Sequence, residues 1–246
     1  MLGILASSSA LAAQKIRIAT EGAYPPFNYI DPEGKLRGFD VDIAEALCQV
    51  IGAECELMVQ DWDGMIPGLL AKKYDVIIAS MSITEKRKEA VNFTEYYYQA
   101  LPRFVAKKGL DLEISAAGLK GKTVGVQRAA TYANYLEDTY GNDITIKYYD
   151  TTDNHNLDLA AGRVDVVLAQ SIIMGQWLES ADGAGFQFYG APITDKKYIG
   201  QGAGIAIRKG EDQLLEQFND ALKTIIKNGT HKRISSKYFK FDIYEY

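Results

Sequence analysis

The segment Tyr74-Asp75-Val76-Ile77-Ile78-Ala79 is a short apolar run, typical of a strand in a sheet that is covered on both faces. Later in the chain, Val164-Asp165-Val166-Val167-Leu168-Ala169 repeats this pattern. A polar residue follows each copy, Ser80 after the first and Gln170 after the second. The repeat indicates that the chain contains two similar α/β units.

Strands and helices alternate around both copies, as in parallel sheets built from βαβ units. The first unit is predicted to contain strands over residues 16–19 and 54–59, a helix over 41–50 that Asp40 precedes, and a helix over 63–70 capped by Asp63. The second is predicted to contain strands over 123–126 and 144–149, a helix over 131–140, and a helix over 154–161 that Gly162 ends.

The rest of the chain completes a two-lobed α/β fold with a mainly parallel sheet in each lobe. A strand over 204–208, a helix over 212–227 and the terminal segment 238–242 are predicted to return to the first lobe. The predicted first lobe comprises residues 14–102 and 203–246, and the second comprises 103–202. Two linker strands, around 103–106 and 200–204, are expected to form a hinge.

The composition excludes some classes of partner but does not identify the function. The 246 residues are 47% hydrophobic and 24% charged, and the net charge of −5 is spread without a basic run, which argues against nucleic acid as a partner. Residues 1–13 resemble the end of a signal peptide with a cleavage site at Ala10-Leu11-Ala12, although they lack a positively charged start; a disordered tail is the alternative. We therefore expect an exported, soluble protein; its location in the periplasm is implied only by the family resemblance described below.

Cys48 and Cys55 are the only cysteines, and an even pair in an exported protein more often forms a disulfide than two free thiols. With two scattered histidines, His155 and His231, they do not make a zinc site. No metal and no cofactor are therefore expected. His155 stands on a predicted helix beside polar residues, where a surface or capping role is the expectation.

The polar residues after the strands are expected to meet at one ligand, because ligands of open α/β sheets bind beyond the carboxyl ends of the strands. Ser80, Ser82, residues 127–131 and Gln170 all lie there. The segment over 80–87 offers hydroxyls, N–H groups at a helix start and Arg87, whose planar fork suits a carboxylate. The alternative is a helix capped by Thr84 with Arg87 in solvent.

Three segments together resemble the polar amino-acid binding proteins of bacterial ABC importers, solute-binding protein family 3. They are Ser-Met-Ser-Ile-Thr-x-x-Arg at 80–87, Glu-Gly-Ala-Tyr-Pro-Pro-Phe at 21–27 and Gly-Phe-Asp-Val-Asp-Ile-Ala at 38–44. The resemblance covers the chain after Lys15 and is best for the lysine, arginine, ornithine and histidine binders and the octopine and nopaline binders. It implies a two-lobed type II fold, a monomer without enzymatic activity, and delivery of the captured ligand to membrane permease subunits.

By this resemblance, Arg87 would bind the ligand α-carboxylate with Ser82 and Thr131, and Ser80 would face the α-amino group. Tyr24 and Trp62 would enclose the ligand side chain, where an aromatic face also attracts a cation. Glu21 would meet its distal positive charge. The remaining positions expected to line the site are Ala79, Met81, Gln127, Arg128, Ala130 and Gln170.

This sequence departs from the family pattern at two places that affect the expected ligand. Gln170 stands where most relatives have an aspartate for the ligand ammonium, so that negative charge is lost. The opine binders resemble this chain in having an amide there, which makes an opine the alternative ligand. The second departure is the segment Arg-Ala-Ala-Thr at 128–131, where the family usually has a glycine and a hydroxyl residue before the threonine. Arg128 could contact a second carboxylate or face solvent. A dehydratase on the same fold is the distant alternative, because Gln170 cannot titrate and Glu21 is the one acidic candidate in the cleft.

Overall fold

The computed structural model describes residues 14–244, so the predicted signal-peptide remnant, residues 1–13, lies outside the described residues. The strands are β1 Lys15–Thr20, β2 Ala23–Tyr24, β3 Asn28–Ile30, β4 Leu36–Arg37, β5 Glu54–Val59, β6 Val76–Ile77, β7 Val91–Tyr98, β8 Pro102–Lys107, β9 Thr123–Gln127, β10 Thr145–Tyr149, β11 Val166–Gln170, β12 Phe186–Tyr189 and β13 Ala203–Arg208. The helices are α1 Phe39–Ile51, α2 Met65–Leu70, α3 Glu85–Lys88, α4 Ala116–Leu119, α5 Thr131–Tyr140, α6 Thr152–Ala160, α7 Ser171–Leu178, α8 Lys196–Ile199, α9 Asp212–Lys227 and α10 Thr230–Tyr238.

Two five-stranded sheets form the two lobes, with the strand orders β5-β1-β6-β13-β7 and β10-β9-β11-β8-β12. In each sheet the first three strands are parallel, the fourth is antiparallel to the third, and the fifth is antiparallel to the fourth. Four strands of each sheet therefore run in one direction. The predicted two-lobed α/β fold is confirmed, with mixed sheets, and β2, β3 and β4 add a small antiparallel sheet that the sequence did not predict.

The aspartate in each copy of the repeated segment explains where the strand begins. Strands β6 and β11 begin at Val76 and Val166, directly after the aspartate, and not at the first residue of the apolar run. The Asp75 carboxylate accepts a hydrogen bond from the backbone N–H of Arg17 at 3.0 Å and also pairs with its guanidinium. In the second lobe, Asp165 accepts from the backbone N–H of Thr123 at 2.7 Å. Each carboxylate thus replaces one backbone partner at the start of the neighbouring strand, and regular pairing begins at the next residue.

Helix α1 is held against the segment before it by a close backbone contact at Gly38. Gly38 has φ of 125°, and a Cβ there would come within 2.3 Å of the Phe27 carbonyl oxygen. This approach lets the N–H of Asp40 bond to the same oxygen at 2.7 Å. Near the other end of α1, the predicted disulfide is confirmed: Cys48 and Cys55 are bonded and join α1 to β5.

The chain crosses between the sheets at residues 99–101 and 200–202, between β7 and β8 and between α8 and β13. Residues 103–106, predicted as a linker strand, instead pair within the second sheet. The predicted cap of the helix after Trp62 is also wrong. Asp63 lies inside a 3₁₀ turn, Trp62–Gly64, and α2 begins at Met65 without a side-chain cap.

Candidate functional site

A small cavity lies between the two lobes and is lined by residues of both. It lies beyond the carboxyl ends of strands from both sheets, where open α/β sheets bind their ligands. Ten of the thirteen predicted ligand-binding residues line it, so the structure brings most of the predicted set together. The lining residues are Glu21, Tyr24, Trp62, Ala79, Ser80, Ser82, Arg87, Gln127, Ala130, Thr131 and Tyr132.

Arg87 is a cation in this cavity that has no acidic partner among residues 14–244. Its guanidinium donates to the backbone carbonyls of Ser82 at 3.0 Å and of Ala129 at 3.4 Å, and lies 5.2 Å from the centre of the Trp62 ring. It forms no ion pair within residues 14–244. Burial lowers the pKa of Arg87 to about 10, which leaves it charged at neutral pH.

The short helix α3 positions Arg87. The Thr84 side chain caps α3 by accepting from the backbone N–H of Arg87 at 3.4 Å. The sequence had left two alternatives, a capping Thr84 with Arg87 in solvent or an Arg87 in the site. The structure combines the cap with an Arg87 that lines the cavity. The cap fixes the start of the helix, and the guanidinium then reaches back over the turn towards Ser82.

Glu21 is the carboxylate of the cavity. Its side chain is buried, and its Oε1 accepts a hydrogen bond from Nε2 of Gln127 in the second lobe at 2.6 Å. Burial raises the pKa of Glu21 to about 7, an effect that the Gln127 hydrogen bond reduces and the nearby carboxyls of Asp153 and Asp61 reinforce. A positive charge placed beside Glu21 would reverse this shift.

Ser80 sits between the cavity and a buried polar network. Its backbone adopts a left-handed conformation with φ of 55°, which is uncommon for a residue with a side chain. The Ser80 N–H donates to the Tyr97 hydroxyl at 2.9 Å, and the Ser80 hydroxyl donates to Asp40 at 2.9 Å. These two hydrogen bonds hold a strained backbone in place, as is common at binding sites.

Aromatic side chains form much of the remaining wall. Tyr24 and Trp62 line the cavity as the sequence indicated, and Tyr132 joins them. Sequence reasoning missed Tyr132, although its place in the first turn of α5, directly after Thr131, could have indicated it. The indole Nε1 of Trp62 is buried and has no hydrogen-bond partner in the described part of the chain.

Three predicted site residues do not line the cavity. Met81 is buried in the core of the first lobe, because it points away from the side on which Ser80 and Ser82 lie. Arg128 is half-exposed and forms an ion pair with Asp150 at 2.7 Å. Gln170 is buried and donates to the Tyr98 hydroxyl at 2.8 Å.

The expectation of a surface or capping role for His155 is wrong. The side chain is fully buried, and its ring centre lies 6.1 Å from that of Tyr149. It is buried because α6 packs against β9 and β11. Burial lowers the pKa of His155 to about 4, so the ring is neutral at physiological pH.

Comparison with known proteins agrees with this geometry. The family model for bacterial extracellular solute-binding proteins, family 3, matches residues 16–241. The chain belongs to that family. An L-arginine-binding protein of Pseudomonas aeruginosa is 42% identical over 245 residues, which cover 99% of this chain and 95% of the relative.

Two further proteins are similar to nearly the whole chain. An octopine-binding periplasmic protein of Rhizobium meliloti is 34% identical, with 98% of this chain and 96% of the relative covered. The solved structure of a Salmonella typhimurium periplasmic binding protein, described as having high arginine specificity, matches with a TM-score of 0.86. It is 34% identical and covers 93% of this chain and all of that one. Family 3 and these relatives are binding proteins.

A membrane-spanning helix and a metal-binding cluster are both absent from residues 14–244. Across residues 14–244, no helix combines the length and apolar character needed to cross a membrane. In the same range, no group of three or more His, Cys, Asp or Glu side chains is arranged to hold a metal ion.

Proposed function

We propose that this chain captures an amino acid with a cationic side chain, of the arginine type, between its two lobes and delivers it to the permease of an ABC importer. The observation that carries the proposal is that Arg87 and Glu21 line one cavity and, within residues 14–244, form no ion pair. A buried charge is costly unless it is paired. A ligand that carries both a carboxylate and a cation would pair both.

The remaining cavity residues suit the rest of such a ligand. Its carboxylate would accept two parallel hydrogen bonds from Arg87, and its amino group would donate to Ser80. The aliphatic part of its side chain would lie between Tyr24 and Trp62, with the distal cation at Glu21. This assignment follows the roles that the family resemblance implies for these residues.

Closure of the lobes is the proposed mechanism. The proposed lobes are residues 14–102 with 203–246 and residues 103–202, and the crossings at 99–101 and 200–202 would act as the hinge. Contacts that the ligand makes to both lobes favour the closed form, which the permease would recognise. The protein would act in the periplasm as a monomer without cofactor or catalytic activity.

An opine of the octopine type is the alternative ligand. Gln170 supports it, because an amide in place of an aspartate provides no negative charge for a free ammonium, and the opine nitrogen is a secondary amine. The octopine-binding relative described above gives the same indication. The enzyme alternative, a dehydratase, would need Glu21 as its general acid, because Glu21 is the one acidic residue among those that line the cavity.

Calorimetry and thermal unfolding of ligand-free protein would test the proposal with arginine, lysine, ornithine, histidine, octopine and nopaline. We expect saturable binding of one arginine per chain, and a rise in stability of about 4 kcal/mol at a ligand concentration 1,000 times the Kd. Tighter binding of octopine or nopaline than of arginine would favour the opine alternative. The absence of any response would contradict the proposed ligand class. Turnover of prephenate or arogenate would support the dehydratase alternative.

A further inference from the structure

A buried carboxylate lies directly behind the cavity wall. Asp40, in the first turn of α1, has 1% of its surface exposed. It accepts three hydrogen bonds, from Nδ2 of Asn28 at 2.7 Å, from the Tyr97 hydroxyl at 2.8 Å and from the Ser80 hydroxyl at 2.9 Å. Of these donors, Ser80 lines the cavity.

The hydrogen bond to Asp40 decides what Ser80 can offer a ligand. A serine hydroxyl has one proton and two lone pairs. The Tyr98 hydroxyl also forms a hydrogen bond with the Ser80 side chain. Because the proton of Ser80 is donated to Asp40, the hydroxyl can offer the cavity only its remaining lone-pair capacity, and a ligand group at Ser80 has to be a donor. The backbone hydrogen bond of Ser80 to the Tyr97 hydroxyl fixes its orientation further.

Asp40 also places a negative charge close to Ser80, in a part of the cavity wall that would otherwise have no charge nearby. Gln170 is neutral and donates to Tyr98. Burial raises the pKa of Asp40 to about 6, while its hydrogen bonds with Tyr97, Asn28 and Ser80 act to lower it, so the carboxylate is mostly ionised at neutral pH. The negative charge lies one hydrogen bond behind Ser80, in a buried region where charges interact more strongly than in water.

We propose that Asp40 is a positioning residue of the ligand site, which fixes Ser80 as the acceptor for the ligand ammonium and supplies the negative charge that Gln170 lacks. The inference rests on the proposed function, because it requires a ligand with an α-ammonium group. It also accounts for how a primary ammonium is held although Gln170 has no charge.

Two ligands separate this role from a purely structural one. Arginine and 5-guanidinopentanoate share the carboxylate and the guanidinium, but the second has no amino group. In Asp40→Asn, we expect the affinity for arginine to fall about 10- to 100-fold and the affinity for 5-guanidinopentanoate to change less than about threefold, as measured by calorimetry. The matched control is Asp42→Asn, on the same helix, where the carboxylate pairs with Lys237 instead; both affinities should stay unchanged.

A double-mutant cycle tests whether Asp40 acts through Ser80. We expect the arginine affinity lost in Asp40→Asn and in Ser80→Ala to be clearly non-additive, because the second change removes the group that the first one orients. Additive losses would contradict an action through Ser80. Equal losses for the two ligands in Asp40→Asn, or no loss for arginine, would overturn the inference and leave the proposed function intact.

A measurement on the unsubstituted protein covers the case in which Asp40→Asn does not fold. Carboxyl ¹³C NMR would follow the titration of Asp40, and we expect arginine to lower its pKa while 5-guanidinopentanoate does not, because the ammonium stabilises the carboxylate. An equal pKa with both ligands would overturn the inference. If the unsubstituted protein binds neither ligand nor any other amino acid, the proposed function fails, and the inference fails with it.

Discussion

Replacement of Arg87 by alanine is expected to weaken arginine binding about 100- to 1,000-fold. The substitution removes the cation that would pair with the ligand carboxylate between the lobes. Truncation of one partner of a buried charge pair costs about 3–5 kcal/mol, and the expected loss corresponds to the lower part of that range, about 3–4 kcal/mol. Arg87→Lys should give an intermediate loss, because lysine keeps the charge but cannot form two parallel hydrogen bonds. Isothermal titration calorimetry on the three proteins would measure both effects.

The control for this prediction is Arg163→Ala. Arg163 is an exposed arginine of the second lobe that pairs with Asp158, away from the cavity. We expect arginine affinity to stay within about twofold of the unsubstituted protein, because exposed ion pairs contribute little. If Arg87→Ala retained affinity within tenfold, the ligand carboxylate would have to bind elsewhere and the site assignment would be wrong.

The affinity for arginine is expected to rise about tenfold between pH 6 and pH 8. The pKa of Glu21 is raised to about 7 without ligand, so the residue is largely protonated at pH 6 and ionised at pH 8. Pairing with the guanidinium of the ligand requires the ionised form, so affinity is lost as the pH falls through about 7. Calorimetry at several pH values would give the profile.

Glu21→Gln is the matched variant for the pH profile. It keeps the size of the side chain and an oxygen that can accept from Gln127, but it has no charge to titrate. We expect most of the pH dependence to disappear and the affinity at pH 8 to fall. Glutamine, whose side chain is neutral, should show no comparable pH dependence in either protein. An unchanged pH profile in Glu21→Gln would assign the titration to another group.

The sequence predicted the parts of the fold that depend on local patterns. The apolar repeat over 74–79 and 164–169 identified the two lobes, and α9 has the bounds that its amphipathic pattern predicted. The strand starts were displaced, because Asp75 and Asp165 bond to a neighbouring strand, a contact that no local pattern contains. The long strand β7 was missed for a related reason: its alternation is irregular, and its pairing with β13 comes from the far end of the chain.

The site was predictable where its residues belong to one motif. The segment over 80–87 and Glu21 fall in this class, and the structure places them around one cavity. Tyr132 and Asp40 were missed because their roles depend on tertiary packing, which brings one to the cavity wall and the other behind Ser80. His155 was misplaced for the same reason: the packing of α6 against β9 and β11, which no local pattern contains, buries its face of the helix.

The contact between Arg87 and the Trp62 ring has an optical consequence. The chain has two tryptophans, and Trp177 packs against Phe186 in the other lobe, outside the cavity. The emission of an indole depends on the charges around it, and Trp62 has a guanidinium 5.2 Å from its ring centre. A carboxylate bound to that guanidinium would change the electric field at one of the two tryptophans. Occupancy of the cavity can therefore be read from the intrinsic fluorescence of the unlabelled protein.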